Sequence, residues 1–240
     1  MNFTIRHTGP ELMDGNDIPD KDLFLNYLEL HTINKLLGGY RITLKGLRKI
    51  TQGVKQLSIL DVGCGGGDMM KIVAEWGRRN KIKIQLTGVD VSASAIQYSN
   101  ENCKDFPEIE CKHADVFQHL NSGKKYDVIM NTLFMHHFTN EEIIRLLKLM
   151  KENATRGFVI NDLQRHSFAY YSIQSLTKLF SNSYLVKNDA PLSVLRGFRR
   201  EDWLHLLSNA FIENAEISWE WAFRYLVIFR NNHQDLSMNS

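Results

Sequence analysis

Cysteine is scarce in this chain, and the spacing of its cysteines is not typical of disulfide-bonded or zinc-binding proteins. Cys64, Cys103 and Cys111 give an odd count and form no Cys-x-x-Cys pair. This pattern argues against a disulfide framework and against a zinc site. Unpaired thiols are typical of a reducing compartment, so we expect a cytoplasmic protein.

Long apolar runs and an excess of one charge are also missing. No apolar run approaches the roughly 20 residues that cross a bilayer, and the first ten residues do not resemble a secretory signal. The 29 Lys and Arg residues nearly balance 27 Asp and Glu residues, and no dense basic block favours a nucleic-acid partner. The expected partner is a small molecule, and the sequence does not determine the oligomeric state.

The apolar residues that are present form short runs separated by helical patterns. Five runs predict β-strands: 58–62, 84–90, 109–115, 126–131 and 157–162. Alternation of strands and helices predicts an α/β fold with a doubly wound, mostly parallel sheet and helices on both faces. Residues 211–231 contain two strand-like runs and no helix, so they predict an antiparallel hairpin that completes the sheet.

Two segments lie outside this alternation. Residues 1–56 precede the first strand and predict a helical N-terminal cap, with two helices separated near Gly38 and Gly39. The domain proper is expected over 57–240, with an insertion at about 163–199. Because ligands bind at the carboxyl ends of strands in an open α/β sheet, this insertion is positioned to form a lid; the alternative is ordinary packing helices.

The stretch ILDVGCGGGD, residues 59–68, carries the strongest functional signal. Gly63, Gly65 and Gly67 follow a strand and lead into a helix, where a backbone without side chains turns tightly and approaches a ligand closely. Asp68 replaces the last glycine of the dinucleotide-binding pattern and would repel a pyrophosphate. Asp68 and Asp61 instead suit a ligand with a cationic amino group, such as the amino-acid end of S-adenosylmethionine.

The next two strands also end in acidic residues. Asp90 ends the second strand, where a carboxylate can accept hydrogen bonds from ribose hydroxyls. Asp115 follows the third strand and can accept from an adenine amino group, while Val116 can donate its backbone N–H. Each aspartate alone is equally typical of a turn, but the set after three successive strands is far more specific.

The motifs LDVGCGGGD, GVDVS, HADVF and YDVIMNTLFMHHF resemble those of class I S-adenosylmethionine-dependent methyltransferases, most closely the small-molecule, ubiquinone-methyltransferase-like branch. The resemblance implies a seven-stranded sheet with an antiparallel last strand. It also implies S-adenosylmethionine as the cofactor and S-adenosylhomocysteine as the product. The implied cofactor-binding residues are Asp61, Gly63, Cys64, Gly65, Gly67, Asp68, Asp90, Val91, Asp115, Val116 and Asn131.

The adjacent histidines His136 and His137 follow the fourth strand, whose loop faces the methyl donor in this family. A phenol titrates near ~10 and an imidazole near ~6.5, so a nearby histidine can take the acceptor's proton. The resemblance favours His136 as base or substrate contact and His137 as structural. Alternatively, His136 lines the site as a polar residue and transfers no proton. His166 is the next candidate base.

We expect no metal site, because adjacent histidines do not share one helical face and no third ligand stands at a typical spacing. Strand four ends in Asn131, where magnesium-dependent catechol methyltransferases carry an acidic ligand.

The leading functional hypothesis is O-methylation of a hydroxylated aromatic or quinone-like small molecule. N- or C-methylation of another metabolite and a non-catalytic cofactor-binding scaffold are the alternatives. NTLF after strand four lacks the prolines of base-modifying adenine methyltransferases, and no Pro-Cys nucleophile of cytosine-C5 enzymes is present. Glu141 and Glu142 fit the first turn of a helix better than the paired glutamates of a protein-arginine methyltransferase.

Overall fold

A computed structural model describes residues 2–15 and 18–231. The strands are β1 Gln56–Val62, β2 Lys83–Asp90, β3 Ile109–His113, β4 Tyr126–Thr132, β5 Ala154–Leu163, β6 Glu216–Glu220 and β7 Arg224–Arg230. The α-helices are α1 Asp20–Leu36, α2 Gly39–Ile50, α3 Asp68–Asn80, α4 Ala93–Asn102, α5 Val116–Asn121, α6 Asn140–Asn153, α7 Ser167–Phe180, α8 Tyr184–Arg196 and α9 Arg200–Asn209. Two short 3-10 helices span Leu12–Asp14 and Met135–His137.

The strands form one seven-stranded sheet in the order β3-β2-β1-β4-β5-β7-β6. Neighbouring strands from β3 through β5 are parallel, whereas β7 runs antiparallel to both β5 and β6. The predicted fold class and the terminal hairpin are therefore confirmed. Because the parallel strands end at one edge, the loops after β1, β2, β4 and β5 and the hairpin turn before β7 meet there.

Helices bury both faces of this sheet. Ile59 of β1 belongs to the core cluster that includes Leu47 of α2, whereas the next residue, Leu60, belongs to the cluster that includes Leu146 of α6 and Trp203 of α9. This alternation follows from the two-residue period of a strand, and burial of both faces explains the nearly continuous apolar runs.

Helix α2 lies close against the sheet. A Cβ on Gly46 would stand 2.5 Å from the side chain of Val159 and 3.1 Å from that of Leu226, so the absence of a side chain permits this packing. The boundary between an N-terminal cap and the domain proper, expected at 56/57, remains a prediction. In the structure, side chains of α2 pack in the same core cluster as side chains of β1.

Local capping signals fix two of the helix starts. The Ser92 hydroxyl accepts a hydrogen bond from the Ala95 N–H at the start of α4. Thr139 and Glu142 form a reciprocal capping box at the start of α6. Each bond satisfies a backbone donor that the first helical turn leaves without a partner.

Helices α1, α7 and α8 and the N-terminal segment 2–15 stand above the strand-end edge. Arg165, after β5, donates to the backbone oxygens of Phe3 and Thr4, and Asp189 of α8 accepts from the N–H groups of Leu12 and Met13. These bonds hold the N-terminal segment across the end of the sheet. Within the described residues, no helix has both the length and the apolar composition needed to cross a membrane.

Candidate active site

A cavity of about 400 Å³ opens at the strand-end edge of the sheet. Its walls come from the loops after β1, β2 and β4, from α1, α7 and α8, and from the turn before β7. A volume of this size suits a small organic ligand. The predicted cofactor-binding residues that line it are Asp61, Gly63, Cys64, Gly65, Asp68 and Asp90.

The glycine loop forms the floor of this cavity. Gly63 adopts a φ of +70°, and its N–H donates to the Val89 carbonyl at 2.9 Å, so the loop is fixed to β2. A Cβ on Gly63 would lie 2.0 Å from the Phe134 ring, and therefore only glycine fits here. Gly65 has a φ of +50°, and open space lies where its Cβ would point. A ligand can therefore approach the backbone closely at Gly65.

Asp61 is the carboxylate of the cavity wall whose surroundings best fit a cationic group of a ligand. It is 2% exposed, and its Oδ1 has no hydrogen-bond partner. Burial raises the pKa of Asp61 well above its ordinary value. A buried acceptor without a donor in the cavity wall fits the ammonium group of an amino-acid ligand, which supplies both the charge and the hydrogen bonds.

Asp68 and Asp90 also line the cavity, but each already has partners. Asp68 Oδ1 lies 3.0 Å from His31 Nδ1, and burial raises the pKa of Asp68 despite this neighbour. Asp90 accepts from the N–H groups of Gly65 and Ser92, each at 2.9 Å. Because each carboxylate oxygen can accept more than one bond, Asp90 orders the loop and can still accept from a diol.

The remaining predicted cofactor-binding residues do not line this cavity; they are Gly67, Val91, Asp115, Val116 and Asn131. Asp115 Oδ1 accepts from the Gln118 N–H and caps α5. Val91 is largely exposed, Val116 is buried, and both amide atoms of the fully buried Asn131 have no partner. The geometry therefore brings together the predicted amino-acid and ribose contacts, whereas the adenine contacts at Asp115 and Val116 lie outside the cavity wall.

His136 forms a buried pair with Asp162 at the end of β5. The distance from His136 Nδ1 to Asp162 Oδ1 is 2.7 Å, and the Asp162 carboxylate also accepts from the backbone N–H groups of His136 and Leu163. Burial opposes ionisation of Asp162, but the charge and hydrogen bonds of His136 outweigh it and lower the pKa of Asp162. An ionised Asp162 accepts a hydrogen bond from the Nδ1–H of His136, which leaves the lone pair of the neutral ring on Nε2.

Glu11 stands on the Nε2 side of His136, with its Oε1 3.6 Å from that nitrogen. This distance exceeds that of a hydrogen bond. The Ser193 hydroxyl donates to Glu11, and burial raises the pKa of Glu11. Sequence reasoning missed Glu11, and no local signal marks a residue so distant in the chain from His136.

His137 lies beside His136, with ring centroids 4.4 Å apart, and its side chain is more exposed. Arg196 donates to the backbone oxygens of both histidines and of Gly9. Arg196 therefore orders the histidine loop beneath the N-terminal segment.

Ligand atoms of Glu11, His136 and His137 lie within 4.8 Å of one another. The fold thus brings a third donor to the adjacent histidines, which their sequence spacing does not. Each group nonetheless has a protein partner: Ser193 for Glu11, Asp162 for His136 and Asp14 for His137. The expectation of no metal remains a prediction.

His166 does not lie in the cavity wall. It is exposed, its Nδ1 accepts from the Phe168 N–H at the start of α7, and its ring stacks on Phe223 at a centroid distance of 5.1 Å. His166 therefore caps α7 through its acceptor nitrogen, and its role as a base remains a prediction.

The sheet order, the glycine loop and the acidic strand ends define a class I methyltransferase fold. Residues 59–157 match a protein family described as "Methyltransferase domain". The chain is 29% identical over 128 residues to the ubiquinone biosynthesis O-methyltransferase of Rickettsia conorii, over 51% of this chain and 40% of that protein. It spans about half the length of the first three curated relatives that it matches (40–56%).

Two solved structures show the same fold. Human N-acetylserotonin methyltransferase, solved with S-adenosylmethionine, aligns at a TM-score of 0.63 and 14% identity over 89% of this chain and 56% of that chain. The plantazolicin methyltransferase BpumL, solved with a desmethyl substrate analogue and S-adenosylhomocysteine, aligns at 0.63 and 19% identity over 88% and 90%.

The domain match, the curated relatives and the shared fold together support a class I, small-molecule S-adenosylmethionine-dependent methyltransferase. The family and cofactor predictions are therefore confirmed.

Proposed function

We propose that this protein transfers a methyl group from S-adenosylmethionine to a hydroxyl oxygen of an aromatic or quinone-like small molecule, with His136 as general base. The observation that supports this most strongly is the 2.7 Å contact between His136, which lines the cavity, and the fully buried Asp162. An ionised carboxylate that holds one imidazole nitrogen leaves the other free to accept a proton from an acceptor hydroxyl.

The cofactor supplies an electrophilic methyl group on a sulfonium. Asp61 is positioned to bind its amino group, and Asp90 its ribose hydroxyls. Asp162 orients the His136 ring and stabilises the imidazolium that forms when His136 takes the proton. The helices above the sheet edge exclude water, so the acceptor oxygen and the methyl carbon meet in a fixed orientation.

The apolar character of the wall favours an aromatic acceptor. Tyr40, Phe134, Phe168, Trp221 and Phe223 all line the cavity, and these rings come from four different segments of the chain. The curated relatives named above also carry the name of an O-methyltransferase of ubiquinone biosynthesis. We further propose a cytoplasmic location, because all three cysteines are free thiols.

A screen with methyl-labelled S-adenosylmethionine tests this proposal. Phenols and hydroquinones should take up label, and amines, carbon acids and carboxylic acids without a hydroxyl should not. His136→Gln and Asp162→Asn should each lower kcat by roughly 10²-fold or more, since proton transfer contributes 10²–10⁴-fold. His205→Gln removes an exposed imidazole on α9 and should leave kcat unchanged.

Label in amines or carbon acids alone would overturn the assignment to oxygen. Undiminished turnover by His136→Gln would overturn the base. Repeating the assay with a chelator tests the metal prediction, because we expect no change in rate.

A further inference from the structure

Arg224 lines the cavity, and the proposed methyl transfer gives its charge no role. It begins β7, directly beside Leu163 at the end of β5, and it lines the same cavity as His136. It is 2% exposed. An arginine is rarely buried to this extent without an ion-pair partner.

The protein satisfies only part of the Arg224 guanidinium. Nη2 donates to Asn34 Oδ1 at 2.7 Å, but Nε and Nη1 have no partner. Among residues 2–15 and 18–231, no carboxylate forms a salt bridge with Arg224. Asp162, one residue before Leu163, is bound to His136 instead. Burial lowers the pKa of Arg224 to about 10, although the nearby charge of Asp162 opposes this shift.

The backbone at the start of α2 leaves room for the guanidinium group of Arg224. A Cβ on Gly39 would lie 3.0 Å from Arg224 Cζ, so glycine at the start of α2 leaves room for the guanidinium. Three aromatic residues line the same cavity as Arg224: Trp221 and Phe223 in the turn before β7, and Tyr40, which follows Gly39. A cation with unused donors in a cavity that also contains aromatic rings fits the carboxylate of an aromatic acid.

We propose that Arg224 forms a carboxylate-binding subsite for the methyl acceptor, so that the acceptor is an aromatic acid with its hydroxyl toward His136. This inference rests on the proposed function for the role of His136, but the subsite itself stands on the burial and unused donors of Arg224. Strands β5 and β7 are neighbours, so Asp162 and Arg224 lie one strand apart. A single aromatic skeleton can therefore bridge the base and the cation.

The carboxylate of S-adenosylmethionine itself is the competing occupant. The glycine loop follows β1, and β7 is three strands away through β4 and β5. At about 4.8 Å between neighbouring strands, the two positions are roughly 14 Å apart along the sheet edge. This separation favours the acceptor over the cofactor.

Calorimetry on the protein saturated with S-adenosylhomocysteine tests the subsite without turnover. The probes are 2-naphthoate and its neutral amide, neither of which carries a hydroxyl. Wild-type protein should bind the acid at least about tenfold more tightly than the amide. Arg224→Gln should abolish this preference, and Arg224→Lys should retain part of it. Arg230→Gln, at the exposed end of the same strand, should keep it in full.

Equal affinity of the wild-type protein for acid and amide would overturn the subsite without any variant. A loss of S-adenosylhomocysteine affinity in Arg224→Gln, with the acid preference intact, would assign Arg224 to the cofactor and also overturn it. Acid binding that depends on Arg224 in a protein that methylates no hydroxyl would leave the subsite standing and refute the proposed function.

Discussion

A methyl group on Gly63 would collide with the ring of Phe134 at 2.0 Å, and its φ of +70° is unfavourable for alanine. We expect Gly63→Ala to lower the free energy of unfolding by about 2–4 kcal/mol, from left-handed backbone strain plus overpacking. Gly53→Ala is the matched control, because Gly53 has a φ of +74° and open space around it. It should lower the free energy by only about 1–2 kcal/mol. Urea unfolding measures both, and equal effects would refute the steric argument.

The buried carboxylate of Asp162 makes a second prediction at the residue scale. Its folded-state pKa lies below the ordinary 3.8, so its contribution to stability is present above pH 3.8 and disappears as pH falls through the lower folded value. Asp162→Asn should lower the free energy of unfolding by about 3 kcal/mol at neutral pH.

Urea unfolding at several pH values tests the sign of this effect. The difference between wild type and Asp162→Asn should shrink as the pH falls below about 3.8 toward the lower folded-state pKa of Asp162. A difference that grows over this interval would contradict the lowered pKa.

Elements whose signals are local could be predicted from the sequence. The apolar runs predicted the strands because a two-sided sheet demands them. Ser92 and the capping box of Thr139 are signals of the same local kind, because the interacting atoms are three residues apart. The separation of α1 from α2 near Gly38 was also predicted, and Gly38 has the positive φ of a chain reversal.

Site residues that depend on long-range packing could not be predicted in this way. Glu11 reaches His136, and Arg224 reaches Asn34, across most of the chain. Neither residue stands in a motif, so no pattern in the sequence distinguishes them from surface charges. His166 is the opposite case: its place after β5 predicts a base, and the structure shows its Nδ1 accepting a hydrogen bond from the backbone at the start of α7.

The N-terminal segment offers a prediction at the scale of elements. Asp189 of α8 accepts from the N–H groups of Leu12 and Met13 at 2.8 and 2.9 Å, so one carboxylate holds the first 3-10 helix. Asp189→Ala should speed hydrogen exchange at these two amides by roughly tenfold or more, because local opening no longer breaks these bonds.

Ser193→Ala is the control for this measurement. It removes a side-chain bond to Glu11 and leaves the backbone bonds of Leu12 and Met13 to Asp189 intact. Unchanged exchange in Asp189→Ala, or equal acceleration in both variants, would show that other contacts hold the segment.

At the scale of the whole molecule, the cavity joins parts of the chain that are far apart in sequence. Its wall includes Glu11 of the N-terminal segment, His31 of α1, Asp61 of β1, His136 after β4 and Arg224 of β7. A ligand that contacts these parts together binds the folded chain and has no comparable site on the unfolded one. Ligand binding should therefore raise the free energy of unfolding of the whole chain.

We expect S-adenosylhomocysteine at about 100 times its Kd to raise the free energy of unfolding by ~2.7 kcal/mol. For a chain of this length that corresponds to a rise in Tm of roughly 5–10 °C, measured by scanning calorimetry. NADH at the same concentration should leave Tm unchanged, because Asp68 stands where a pyrophosphate would meet the helix N-terminus and would repel it. A rise with NADH and none with S-adenosylhomocysteine would mean that the glycine loop binds a dinucleotide, and the roles given to Asp61 and His136 would then be wrong as well.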